Sequence, residues 1–342
     1  MESAIDAHLQ CPRTRTRRVG DDFTPPYPAF AARAPQSMTQ VVMGYFGVQS
    51  RGGDRSNAAF AAMSALFDAA EGPQHRDVVH FVDAAGYATD MAIAYWGDPA
   101  KFQRWFESAE VAGWWRDDGR LNEGVGYFRE ILAPRDVQYE TAYSSARHPE
   151  GVGVVMGGMS GEIMEHGYWG SMRDRIPLSQ TDELAPSGGL CVSGDGKGRV
   201  AVFGHQNLAV IRSGQDWTET EGEERLLYLE EIEPTLRAGM QFLCDHGADV
   251  GCYSNRYVQH VDEHGAAIEK SFGISHWRSL AHLERWAESH PTHLSIFGTF
   301  LKHVPQLPNL RLYHEVSVFD SGAQRYEYIA CHPGTGLMGD RA

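Results

Sequence analysis

At 342 residues, 42% of them hydrophobic, with a formal net charge of −15, the chain is long enough for two cores or one duplicated core. It is too acidic for nucleic acid to be its main partner, because phosphate binding draws on Lys and Arg. The one basic cluster, Arg13, Arg15, Arg17 and Arg18, lacks the apolar run of a signal peptide, and no later run reaches a membrane span, so a soluble cytoplasmic protein is expected.

In chain order, a strand-like stretch at Val41–Gln49 leads to a helix over about Ala58–Ala70. An alternating strand at Met91–Tyr95 is closed by Trp96, and a short amphipathic helix over Pro99–Phe106 buries Trp105. Phe128–Ile131 and Tyr139-Glu140 complete this half. The segment Gly151–Gly198, rich in Gly, Met and Ser, is an insertion that contains Trp169, Arg173 and Arg175, and long insertions are where functional loops concentrate. The glycines of Gly151–Gly158 and Gly194–Gly198 miss the spacing of a G-x-G-x-x-G or Walker A loop.

The second half repeats the first. Asn207–Gln215 lies on Val41–Gln49, a helix is expected over Glu223–Asp245, and the strand Lys270–His276 is closed by Trp277. A helix over Ser279–Ala287 follows, then Tyr313–Val316 and Tyr326-Glu327. Trp96, Phe102, Arg104-Trp105 and Glu107-Ser108 match Trp277, Leu283, Arg285-Trp286 and Glu288-Ser289 at equal spacing. Self-similarity of this kind reports architecture. Each half reads strand, helix, strand, strand, helix, strand, the split βαβ plan of a ferredoxin-like unit. The expected fold is therefore α+β: a duplicated ferredoxin-like unit with antiparallel sheets packed face to face and helices outside. Residues 1–150 form the first half with an N-terminal extension, 151–198 the insertion, and 199–342 the second half.

The repeat breaks after Ser289. Pro291 is placed to begin a helix running to about Lys302, and its first turn holds His293 where the other half has Ala112. A neutral imidazole among Leu294, Ile296, Phe297 and Phe300 suits the proximal side of a haem, and suits a core histidine as well. Pairing His290 with His293 on zinc is poor geometry across a proline and lacks a third ligand. His314 shares a strand face with Leu312, Val316 and Val318, with Glu315 on the other, which makes it either an acid–base group or a hydrogen-bonded core residue. Ser213, at the expected end of a strand before Gly214, reads as a turn residue or a hydroxyl donor, and Arg175 and Glu140 read as solvated charges. The five cysteines are scattered and form no C-x-x-C pair, so reduced thiols are expected and covalent haem attachment is unsupported.

These residues stand in long blocks that resemble the aldoxime dehydratases, haem-containing lyases, over nearly the whole chain. The blocks are Leu9-Gln10-Cys11-Pro12-Arg13, Thr24-Pro25-Pro26, Glu165-His166-Gly167-Tyr168-Trp169-Gly170-Ser171-Met172-Arg173 and Ile211-Arg212-Ser213-Gly214-Gln215-Asp216-Trp217. Further along come Glu288-Ser289-His290-Pro291-Thr292-His293-Leu294, Leu312-Tyr313-His314-Glu315-Val316-Ser317-Val318-Phe319 and Cys331-His332-Pro333-Gly334-Thr335-Gly336. The resemblance implies haem b, ferrous in the active state, with His293 as the axial ligand to its iron. It implies His314 as the distal catalytic histidine, Ser213 as the distal serine, Arg175 as the distal-side arginine two residues from Arg173, and Glu140 as the supporting glutamate. A small-molecule aldoxime substrate, a homodimer and the dimeric α/β-barrel type of fold are implied with them. The alternatives are a peroxidase-like haem enzyme or a non-catalytic haem-binding protein on the same fold. A metal-free hydrolase built on Ser213 and His314 is a weaker third reading, since no Gly-x-Ser-x-Gly encloses the serine.

Overall fold

In both halves the tryptophan that closes a strand is followed by a helix start written in the local sequence. Asp98 accepts hydrogen bonds from the Ala100 and Lys101 amides at 2.8 and 3.2 Å with Pro99 at the first helical position, and Ser279 caps the corresponding helix through the His282 amide. His290 caps the next helix, again with a proline, Pro291, directly after it. The computed structural model describes residues 1–52 and 57–339. The first half comprises β1 (Ala32–Arg33), β2 (Val42–Arg51), α1 (Asn57–Ser64), β3 (His75–Val82), β4 (Tyr87–Trp96), α2 (Pro99–Glu107), α3 (Ala109–Arg116), β5 (Gly126–Leu132) and β6 (Tyr139–Tyr143). Between the halves lie β7 (Gly158–Met159), α4 (Ser171–Arg175), β8 (Cys191–Gly194) and β9 (Arg199–Phe203). The second half comprises β10 (Leu208–Asp216), α5 (Gly222–Leu227), α6 (Glu233–His246), β11 (Cys252–Val261), β12 (Ala267–Trp277), α7 (Leu280–Ser289), α8 (Pro291–His303), β13 (Arg311–Phe319) and β14 (Gln324–Ile329).

The helix expected over Glu223–Asp245 is broken into α5 and α6 by a π turn at Tyr228–Ile232. Pro234, just inside α6, has no N–H to give to the preceding turn, and the wider turn accommodates that loss.

Among the described residues, twelve strands form one sheet in the order β6-β13-β10-β12-β11-β3-β4-β2-β5-β14-β9-β8. Within it, β5-β2-β4-β3 and β13-β10-β12-β11 both follow the order fourth, first, third, second, with antiparallel neighbours. The two sheets expected from the sequence are thus one curled sheet. The edges of the two units meet where β11 pairs with β3 through Gln259–His80 and His260–Val79. That short stretch of pairing covers part of the edge of each unit.

The concave faces share one core, in which Tyr45, Ile93 and Phe128 of the first half meet Val210, Phe272 and Ile274 of the second. The outer faces carry the helices. Phe46, Trp96, Phe102 and Trp105 pack under α1 and α2, and Trp277, Leu283, Trp286, Leu243 and Val316 pack under α6 and α7. The strands that follow each unit are exchanged: β6, from the first half, pairs with β13, and β14, from the second half, pairs with β5.

Candidate active site

Three strands of the second half and one exchanged strand set out the site. Residues paired across antiparallel strands share a face. Ser213 on β10 is paired with His314 on β13 on one side and with Gly273 on β12 on the other, so these positions lie side by side on the outer face. Val316, two residues along β13 and so on the same face, is paired with Glu140 of β6. The carboxylate therefore arrives beside the histidine from the other half of the chain.

Ser213 is mid-strand rather than at a strand end, because β10 continues to Asp216. Gly214 does not end the strand. It is where the Tyr313 ring crosses, so close that a Cβ there would lie 2.2 Å from a ring carbon. Among the described residues the half-buried Ser213 hydroxyl has no hydrogen-bond partner, which leaves it free for a ligand oxygen.

Arg175 ends α4 and is the hub of the site. Its Nε donates to Glu140 Oε2 at 2.6 Å, its Nη2 to Glu140 Oε1 at 3.2 Å, and its Nη1 to the Glu165 carbonyl at 2.6 Å. Its Nη2 also lies 2.5 Å from His314 Nε2, and the same imidazole nitrogen is 3.1 Å from Glu140 Oε1. One ring nitrogen thus faces a donor and an acceptor. Neutral, it can accept from Arg175; protonated, it can donate to Glu140. Burial opposes ionisation of Glu140, but the Arg175 and His314 charges outweigh it and hold the carboxyl below the usual range. The Arg175 and Glu140 side chains are 2% and 1% exposed, whereas that of His314 is 29% exposed, so the histidine is the member a small molecule can reach. Arg173, the other arginine of α4, turns away to a bidentate pair with Glu284 at 2.6–3.1 Å.

Behind these groups, on the concave face, lies a polar cluster that sequence reasoning missed. Arg212, next to Ser213, donates to Asp77 at 2.7 Å, to the Tyr95 hydroxyl at 2.6 Å and to the Tyr313 hydroxyl at 2.9 Å. Glu315, next to His314, accepts from the Tyr95 hydroxyl at 2.8 Å and from the Val152 amide at 2.7 Å. Burial raises the Glu315 carboxyl against the pull of Arg212. The signal was present as charges alternating with apolar residues in two strands, but not the partners, which come from distant segments. His166 was also missed. It is buried with neither ring nitrogen hydrogen-bonded, and desolvation together with the Arg175 charge pushes it down to about 4.

His293 lies in the first turn of α8, between Trp169 and Trp286 at ring distances of 5.8 and 4.8 Å. Burial pushes its imidazole down to about 4, with the Ala287 carbonyl working the other way, so the ring is neutral near pH 7. Its buried Nδ1 has no hydrogen-bond partner of normal geometry. A neutral, unclaimed imidazole set among aromatic rings fits a haem iron ligand. Ile296, Phe297 and Phe300 on the same helix are half-buried apolar side chains suited to a macrocycle. His290, by contrast, is used up as the helix cap, its Nδ1 2.8 Å from Thr292 Oγ1 and its ring against Phe242. Among the described residues no group of three or more His, Cys, Asp or Glu side chains could hold a metal ion.

Residues 44–337 match the model of the haem-containing dehydratase family. The chain is 55% identical to the aliphatic aldoxime dehydratase of Rhodococcus globerulus, over 99% of this chain and 98% of that one. It is 33% identical to the phenylacetaldoxime dehydratase of Bacillus sp. (strain OxB-1), over 94% of each. A crystal structure of an aldoxime dehydratase in complex with butyraldoxime superposes with a TM-score of 0.97 at 55% identity, covering 100% of this chain and 97% of that one.

Proposed function

The chain belongs to the haem-containing dehydratase family, and on that basis we propose that it dehydrates aldoximes, R–CH=N–OH, to nitriles and water with a haem b held by His293. The observation that carries the reading is the hydrogen-bonded set Glu140–Arg175–His314 beside the unengaged hydroxyl of Ser213. When bound, the haem would supply a ferrous iron able to take the oxime nitrogen and weaken the N–O bond.

The remaining work falls to the chain's own side chains. Ser213 donates a hydrogen bond that fixes the oxime oxygen. Protonated His314 gives its proton to that oxygen, so that the N–O bond breaks and water leaves. The imidazole, now neutral, accepts the proton from the aldoxime carbon as the nitrile forms, and the enzyme returns to its starting protonation. Arg175 and Glu140 are the two groups between which the imidazole changes state. The donor meets the neutral ring and the acceptor the charged one. The short apolar chain of an aliphatic aldoxime is the first substrate to test, given the identity to the aliphatic enzyme. We read the two sheet units as products of one duplication, forming within one chain the barrel of dimeric α/β-barrel proteins, and the protein as a cytoplasmic homodimer. No helix among the described residues is long and apolar enough to cross a membrane.

The test is an anaerobic assay of dithionite-reduced holoenzyme with butyraldoxime, reading the Soret band and the nitrile together. His314→Ala should keep its haem and lose turnover by about 10²–10⁴, the usual worth of a positioned acid–base group. His293→Ala should purify without haem. Normal haem content in the second variant, or normal turnover in the first, would remove that residue from its role. Fast peroxide consumption with little nitrile would favour a peroxidase-like enzyme instead.

A further inference from the structure

The basic cluster near the N-terminus is not free surface charge. The arm that carries it, residues 2–20, crosses the segment that presents Arg175; Arg15 and Arg18 pair with Glu183 and Glu288, Arg17 also with Asp21, and further contacts of the arm meet two acidic side chains. Glu165 accepts from Ser3 Oγ at 3.2 Å and from the Ala4 amide at 2.8 Å, and pairs with Arg17 at 3.6 Å. Asp174 accepts from the Arg18 amide at 3.3 Å and from the Tyr168 hydroxyl at 2.8 Å, and pairs with Arg13 at 3.7 Å. The Asp174 carbonyl takes a second bond from Arg13 at 2.9 Å. Both acidic residues are only 4% exposed.

These two residues bear directly on Arg175. Asp174 precedes it in the chain, and the Glu165 carbonyl receives its Nη1. The helix that ends in Arg175 has five residues, too few to hold itself. Beyond it the arm grips Gln180, which accepts the Thr14 amide on its carbonyl at 3.0 Å and the Cys11 amide on its side chain at 3.1 Å. The contact surface is shaped for the arm. Gly170 has φ +92° and lies where a Cβ would be 2.6 Å from Arg18 Cδ.

We propose that the N-terminal arm is a positioning element of the active site, in which Arg13 and Arg17 lock Asp174 and Glu165 and thereby aim the Arg175 guanidinium at His314. The inference rests on the proposed dehydratase reading. It turns a basic patch in an acidic chain into part of the proton-handling apparatus, acting through Arg175 and touching no substrate.

The test compares haem-loaded Arg13→Ala/Arg17→Ala with the unmodified enzyme, each also in an Arg175→Ala background. The arm variant should keep its haem content and Soret position, keep KM within about twofold, and lose kcat about tenfold, part of the 10²–10⁴ that the acid–base group supplies. In the Arg175→Ala background the same pair should cost nothing further, since coupled residues are not additive. Arg13→Lys/Arg17→Lys should recover most of the loss. An unchanged kcat, an equal loss in the Arg175→Ala background, or a loss that tracks haem content would overturn the proposal. If the double variant does not fold, Arg13→Ala alone is read in the same way. If the unmodified holoenzyme makes no nitrile, the dehydratase reading fails by itself. The arm is then judged by the NMR titration of the His314 ring, whose midpoint should move in the arm variant only while Arg175 is present.

Discussion

At the scale of single residues, the site divides its two arginines by burial. The Arg175–Glu140 pair is sealed from water, so Glu140→Gln leaves a buried guanidinium without its counter-charge. We expect a loss of about 3 kcal/mol in chemical denaturation, at the low end for a broken buried pair because the amide still accepts one bond, together with a fall in kcat. Glu284→Gln, opposite the more exposed Arg173, should cost within about 1 kcal/mol. Equal costs would contradict the assignment of Arg175 as the interior hub. Acid sensitivity has a different origin. His166, His260 and His276 are each pushed by burial down to about 4 in the folded protein. Unfolded, they titrate at about 6.5, so the unfolded chain binds more protons between these values and stability falls as pH drops through that window. Glu315, raised by burial, has the opposite sign, and the lowered carboxylates Glu130 and Glu140 contribute only at lower pH. The melting temperature should therefore decline between pH 6.5 and 4.5, and His276→Gln should flatten that decline. A flat profile in the unmodified protein would show that the histidines are not buried neutral.

At the scale of elements, what could be read from the sequence was whatever local residues decide. Asp98, Ser279 and the prolines at 99 and 291 write helix starts into a few positions, and the helices lie where those signals put them. The alternation around His314 likewise gave its strand face correctly. Ser213 was misread because Gly214 resembles a turn signal, whereas its lack of a side chain serves the packing of Tyr313. Gly214→Ala should accordingly cost about 1–3 kcal/mol by overpacking against that buried ring, measured by denaturation, with the backbone φ itself unstrained. An unchanged stability would mean that the ring can move aside. The partners of Arg212 and Glu315 were out of reach for another reason. Asp77, Tyr95 and Val152 reach them only once the sheet has curled, and no local pattern encodes the curl.

At the scale of the whole molecule, the repeated Tyr-Glu of β6 and β14 marks equivalent strands but not which unit of the sheet each joins. That choice depends on chain-long topology. The exchange has a testable corollary: removing residues 321–342 strips β14 from β5 and bares an edge in the first half. Such a truncated chain should aggregate or fail to purify as a folded species, and a well-folded product with normal haem uptake would show the exchange to be dispensable. The same arrangement puts the ribosome in charge of timing. The strand that shields β5 is made roughly 200 residues after it, on the order of ten to forty seconds later at typical translation speeds of about 5–20 residues per second. Throughout that interval the nascent amino-terminal portion has one unsheltered side, so chaperone demand should peak before the final strand emerges, and a cell that translates slowly should lose more of this protein to inclusion bodies.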